Sequence, residues 1–282
     1  MAGSVVSVRG LVKSYAGLRA VDGIDLEIQE GEIFALLGPN GAGKTTTVEI
    51  LEGFRDRDAG EVRVLGHDPA ERDRAWRSRV GIVLQSTGEA GELTVSELVR
   101  HFAGFYPDPR APDEVIDAVG LTEQRGRRAG ALSGGQRRRL DVALGIVGRP
   151  EVLFLDEPTT GFDPQARHAF WDLLASLRAD GTTMLLTTHY LDEAEHLADR
   201  VGVIASGRVL EVNSVDRLGG EERRTPLVRW REDGEVREER SADPTALVLR
   251  LAARFPQGIP DLEVRRPRLE DIYLSMIAEA GA

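Results

Sequence analysis

Apolar positions follow three patterns along this chain. Near the start, Val5-Val6-Ser7-Val8-Arg9-Gly10-Leu11-Val12 is β-rich, and Ile24-Asp25-Leu26-Glu27-Ile28 alternates with period two, as half-buried strands do. Four runs are short and apolar throughout or nearly so: Ile33-Phe34-Ala35-Leu36-Leu37, Val80-Gly81-Ile82-Val83-Leu84, Val152-Leu153-Phe154-Leu155 and Val201-Gly202-Val203-Ile204. Together with Thr182-Thr183-Met184-Leu185-Leu186-Thr187-Thr188 they read as strands buried on both faces. A further short strand fits 61–66. Between about residues 94 and 148 the period becomes helical. Thr94-Val95-Ser96-Glu97 has the hydroxyl-to-carboxylate spacing of a capping box, and helices are predicted from there, over 112–119 and from Ser133 onward. Helices over 165–178 and 191–199 separate the later strands. Strands alternating with helices predict an α/β fold with a mainly parallel sheet covered on both faces. The β-rich start and the helical middle are additions to that core.

The pattern shifts near Gly219-Gly220-Glu221-Glu222-Arg223-Arg224. Beyond it two short strands (227–231 and 235–240), a helix (244–255), a strand (262–266) and a last helix (269–278) predict a small α+β appendage. We therefore expect a nucleotide-binding domain over residues 1–220, with a helical subdomain at about 86–148, and a second domain over 221–282.

Composition narrows the class. The chain has 282 residues, 41% hydrophobic and 29% charged, as soluble globular proteins do. No stretch approaches the roughly 20 apolar residues that cross a bilayer, and no leader is visible at the start. With 0 cysteines there are no disulfides or thiolate metal sites, which fits a reducing cytoplasm. A net charge of -11 argues against a general binder of nucleic-acid backbones. Basic runs exist at Arg125, Arg127 and Arg128 and at Arg137-Arg138-Arg139; for most of these arginines we expect solvated helix faces. Lys13 and Lys44 are the only lysines, which makes Lys44 conspicuous.

Lys44 closes Gly38-Pro39-Asn40-Gly41-Ala42-Gly43-Lys44-Thr45, set between an apolar strand and the helix-like Thr46-Thr47-Val48-Glu49-Ile50-Leu51. That is the context of a phosphate-binding P-loop. Glycines let the backbone wrap an anion, and the helix N-terminus adds positive partial charge. Lys44 can bridge the outer phosphates and the Thr45 hydroxyl can ligate Mg2+. Asp156, delivered at the end of an apolar strand, supplies a second oxygen site for Mg2+. Glu157 next to it can polarise an attacking water. Leu132-Ser133-Gly134-Gly135-Gln136 offers a hydroxyl and free amides at another helix start. It reads either as a simple cap or as a second phosphate surface. Two such surfaces suit two chains arranged head to tail, each covering the other's nucleotide.

The series Gly38 to Thr45, Gln85, Leu132 to Gln136, Leu153 to Glu157, Asp163 and His189, in this order, resembles the ATPase subunit of ATP-binding-cassette (ABC) transporters. The resemblance covers roughly residues 5–213. It implies ATP and Mg2+ as ligands, held by Gly38, Pro39, Asn40, Gly41, Ala42, Gly43, Lys44, Thr45 and Thr46, with Tyr15 stacking on adenine. It implies Thr45, Gln85 and Asp156 at the metal and Glu157, His189 and Gln85 around the attacking water. Ser133, Gly134, Gly135, Gln136 and Asp163 would act across a homodimer. Phe162 stands where the family more often has Leu, and we expect it to alter packing across that dimer. Residues 187–195 and the tail Leu269-Glu270-Asp271-Ile272-Tyr273-Leu274 look like the bacterial drug-resistance exporter type. That implies a separate transmembrane permease and a place at the cytoplasmic face of the membrane. Export of lipid or polysaccharide, and a soluble cassette ATPase acting on ribosomes or nucleic acid, are the alternatives.

Overall fold

The computed structural model describes residues 3–83 and 90–281 and divides into two compact units, Met1–Val212 and Asn213–Ala282.

In the first unit, strands β1 (Ser4–Tyr15), β2 (Leu18–Gln29), β3 (Ile33–Leu37) and β4 (Ala59–Val64) frame helix α1 (Lys44–Leu51). A short helix α2 (Arg74–Arg77) leads to β5 (Val80–Val83). Helices α3 (Val95–Ala103), α4 (Pro112–Ala118) and α5 (Gly134–Ile146) follow. The chain then alternates through β6 (Val152–Asp156), α6 (Pro164–Ala179), β7 (Thr183–Thr188), α7 (Leu191–Leu197), β8 (Arg200–Ala205) and β9 (Arg208–Ser214).

Two sheets result. The larger has the order β5-β6-β7-β3-β8-β9, with parallel pairing from β5 through β8. β3 lies at its centre between β7 and β8, and all five of its residues are buried, so both its faces are covered. This is why its sequence is apolar without alternation. The smaller sheet is antiparallel, in the order β2-β1-β4. There Ile24, Leu26 and Ile28 alternate inward as the period-two pattern predicts. Their apolar faces join those of α1 and the large sheet in one core that includes Phe34, Ile50, Leu51, Trp76 and Phe154.

Local chemistry sets the helix starts. Thr94 and Glu97 form the expected capping box, with the Thr94 amide donating to the Glu97 carboxylate at 2.9 Å. α4 begins with Pro112 followed by Asp113 and Glu114, which suit the positive end of a helix. β9 is a strand that the sequence pattern left out. Ser206 and Gly207 both have positive φ, the two-residue turn of a hairpin, and fold the chain back onto the sheet edge.

The second unit holds a short helix α8 (Gly220–Arg224), strands β10 (Leu227–Glu232) and β11 (Glu235–Arg240), α9 (Pro244–Arg254), β12 (Glu263–Arg265) and α10 (Leu269–Glu279). Its antiparallel sheet has the order β11-β10-β12. Val228 and Trp230 of β10 pack on Leu247 and Leu251 of α9. The unit begins upstream of the composition shift, so Gly219-Gly220 lies inside it.

Candidate functional site

β3, β6 and β7 are parallel neighbours, so the loops after them open at one edge of the sheet. In open α/β sheets, ligands bind outside the carboxyl ends of the strands. All three loops carry residues singled out in the sequence.

After β3 the chain turns through Gly38–Gly43 into α1. A Cβ at Gly38 would overlap the Ile204 carbonyl oxygen of the adjacent strand β8. One at Gly43 would overlap the Ala20 carbonyl on β2, and Gly43 has φ 103. Both positions require glycine for the loop to lie this close to the sheets. Gly43 offers α1 no side-chain cap, so the first-turn amides of Lys44, Thr45 and Thr46 have no helical acceptor. These donors, at the positive end of a helix, fit an anion. Lys44 is only 7% exposed. Its ammonium donates to the Gly38 carbonyl at 2.6 Å and the Pro39 carbonyl at 3.1 Å. Burial pulls its pKa below the usual lysine value, and Glu157 and Asp156 oppose that pull. Thr45 and Asp156 line the same cavity, so the loop and the strand end face one space. Among the remaining loop residues, the Ala42 amide donates to the Pro39 carbonyl, and Gly41, in the left-handed region at φ 78, is exposed. Asn40 is exposed as well.

At the end of β6, Asp156 is half-buried and accepts a short hydrogen bond from the Thr187 hydroxyl. Glu157 has φ 46, the left-handed region that a residue with a side chain rarely occupies. Its amide donates to the Thr187 carbonyl at 3.0 Å. Its carboxylate lies 3.2 Å from Nδ1 of His189, just past the end of β7. The structure thus brings Glu157 and His189 within hydrogen-bond reach. Thr45 and Asp156 line one cavity of about 960 Å3 that also contains Glu52 and Asp141. A hydroxyl and carboxylates are the oxygen donors that Mg2+ takes, so the donor set fits that ion. Burial, with Asp156 and Glu49 nearby, pushes the Glu52 carboxyl up to about 8.

Ser133 caps α5, accepting from the Gln136 amide at 3.3 Å while its own amide donates to Gln136 Oε1 at 3.1 Å. Ser133 and Gly134 are exposed; Gly135 and Gln136 are half-buried. Asp163 is exposed and caps α6, accepting from the Ala166 amide at 2.8 Å. Tyr15 ends β1, where its ring lies 5.6 Å from the Lys13 ammonium and 5.2 Å from the Arg55 guanidinium. Gln85 lies outside the described residues. Phe162 is buried within its own chain, edge-on to Phe170 at 5.7 Å.

Four further residues were not singled out from the sequence. Thr187 is fully buried and holds both Asp156 and Glu157. Glu52 and Glu193 are buried acids; Thr188, Thr159 and Trp171 stand beside Glu193, whose carboxyl burial pushes up. Arg138 is the exception in the basic runs, since it is 6% exposed and buried rather than solvated. The signal was present: Arg138, Asp141, Val142 and Gly145 follow helical spacing, and all four are buried.

Comparison with known proteins agrees. Residues 21–160 match the ABC transporter family model. The daunorubicin/doxorubicin resistance ATP-binding protein of Streptomyces peucetius is 41% identical over 87% of this chain and 80% of its own length. A Nod factor export ATP-binding protein of a Rhizobium species is 36% identical over 96% of each chain. A solved ATP-binding subunit of an ABC transporter superposes with a TM-score of 0.70 at 25% identity, covering 76% of this chain and 92% of that one. The chain therefore belongs to the ABC transporter family, as one of its nucleotide-binding ATPase subunits.

Proposed function

We propose that this subunit powers export of hydrophobic organic compounds, drugs among them, through a separate transmembrane permease at the cytoplasmic face of the membrane. The observation that carries the catalytic part is the Glu157–His189 pair, 3.2 Å apart, with Glu157 acting on the charge of the buried Lys44. The similarity, over most of the chain, to export and drug-resistance ATP-binding proteins supports the transport part.

The first-turn amides of α1 and Lys44 bind the ATP phosphates. Lys44 gives up its two carbonyl partners for phosphate oxygens, a charge-assisted exchange. Tyr15 meets the adenine. Thr45, Asp156 and Gln85 would hold Mg2+, which when bound neutralises charge on the β- and γ-phosphate oxygens. Glu157 polarises the attacking water, and His189 orients the Glu157 carboxylate and the γ-phosphate. In a head-to-tail homodimer, Ser133, Gly134, Gly135 and Gln136 reach the γ-phosphate bound by the partner, with Asp163 beside them. ATP thus favours the closed dimer, and hydrolysis removes the bridge that closes it.

Glu157→Gln tests this reading. It is expected to lower ATP turnover by about 100-fold or more while preserving ATP-dependent dimerisation. Wild-type turnover in that variant would overturn the assignment of Glu157. Co-purification of the tagged chain from detergent-solubilised membranes tests the partner. A stoichiometric polytopic protein supports the transport reading, whereas recovery of ribosomes or nucleic acid alone overturns it.

A further inference from the structure

Glu157 is held in an unfavourable backbone conformation, and the structure shows what grips it. Arg138 projects from α5, the helix capped by Ser133, and is buried. Its Nε donates to the Pro158 carbonyl at 3.0 Å, and its Nη2 donates to the Asp156 carbonyl at 2.5 Å. These two carbonyls belong to the residues on either side of Glu157. A guanidinium is a rigid fork, so bonding both carbonyls at once fixes their separation. On the opposite side the Glu157 amide bonds the Thr187 carbonyl at 3.0 Å. The left-handed turn at φ 46 is therefore clasped from α5 and from β7 together. A left-handed residue with a side chain persists only where its surroundings over-determine it. Burial lowers the Arg138 pKa, while Asp141, Asp156, Glu193 and Glu157 oppose that shift, so the cation is embedded among acids.

We propose that Arg138 is a positioning residue for hydrolysis: it bridges the carbonyls of Asp156 and Pro158 and so aims the Glu157 carboxylate at the attacking water. The inference rests on the role given above to Glu157. It has a corollary for coupling. α5 carries the Ser133–Gln136 turn at its start and the clasp on Glu157 one turn later. A shift of α5 when that turn meets the partner's nucleotide would thus be delivered to this chain's own catalytic carboxylate.

The test compares Arg138→Met and Arg138→Lys with wild type, alone and combined with Glu157→Gln. For Arg138→Met we expect kcat to fall roughly 10- to 100-fold with KM for ATP and ATP-dependent dimerisation within about twofold of wild type. Arg138→Lys, with a compact ammonium in place of the fork, should recover part of the loss. Because Arg138 acts through Glu157, adding Arg138→Met to Glu157→Gln should cost little further turnover. Unchanged kcat in both Arg138 variants, or a full additional loss in the double variant, would overturn the proposal. So would a loss confined to KM. If Arg138→Met does not fold, Arg138→Lys decides by the same split between kcat and KM. Wild-type turnover in Glu157→Gln alone would instead remove the reading on which the proposal stands.

Discussion

In the unit Met1–Val212, Glu32, Lys44, Glu52, Arg138, Asp141 and Glu193 are buried charged side chains; among the described residues of Asn213–Ala282, the buried side chains are apolar. The second unit is no less charged. β11 reads Glu-Val-Arg-Glu-Glu-Arg, and all of it is exposed. Its ion pairs, such as Arg231–Asp261 and Arg250–Glu239, sit at the surface, where solvent screens them. Burying a charge is costly unless it is paired or used. Glu32 is paired with Arg200 at the amino ends of β3 and β8, and the other five lie toward the carboxyl end of the sheet, near Asp156 and Glu157. The second unit spends its burial on packing Val228, Trp230, Leu247 and Leu251. Most of the buried charge gathers at the candidate site, a signal that net charge does not carry.

The largest effect expected from this contrast is the loss of turnover in Glu157→Gln described above. Next, Leu251→Ala removes an apolar side chain from the small core of the second unit. It should destabilise that unit by about 3 kcal/mol. Limited proteolysis would then release it while basal ATPase of the first unit is retained. Loss of ATPase in parallel with unfolding of the second unit would break the division of labour.

Glu52 gives a smaller effect with a definite sign. Its carboxyl titrates at about 8 in the folded chain against an ordinary 4.5, because burial disfavours the charged form. As pH rises from 4.5, the unfolded chain releases this proton first, so folding stability falls until about pH 8. Glu52→Gln removes that drain. Without Mg2+ or nucleotide, it should raise Tm by roughly 5 °C at pH 8 and leave it unchanged at pH 4. An equal shift at both pH values would show that packing, not titration, sets the effect. The smallest change is expected from Arg254→Ala, which removes an exposed partner of Glu232 on the second unit. It should cost under about 1 kcal/mol by urea denaturation, and less at high salt.

These contrasts also show what could be read from the sequence. Strands buried on both faces announced themselves as continuous apolar runs, and the P-loop announced itself through its glycines, whose absent side chains are what the neighbouring carbonyls require. The order of motifs carried Asp156, Glu157 and His189, because each follows a strand that delivers it to the same edge. Arg138, Thr187 and Glu193 were not legible, because each acts through contacts between elements distant in sequence. Arg138 looked like one arginine of three, and only the helix phase separates it from Arg137 and Arg139. The β9 strand was missed because its residues are mostly half-buried at a sheet edge and keep no clean period.

Lys44 and Ser133 differ in what each must surrender. The Lys44 ammonium already rests on the Gly38 and Pro39 carbonyls, so phosphate has to win it from an internal rival. The Ser133 oxygen accepts from the Gln136 amide, which leaves its hydroxyl proton to offer without breaking the cap. On the reading proposed above, one half of a composite site would rearrange to recognise ATP, while the half contributed by the partner would be set before they meet. Nucleotide capture would then be the deliberate step and closure the reflex, an ordering under which a subunit without ATP would be passed over.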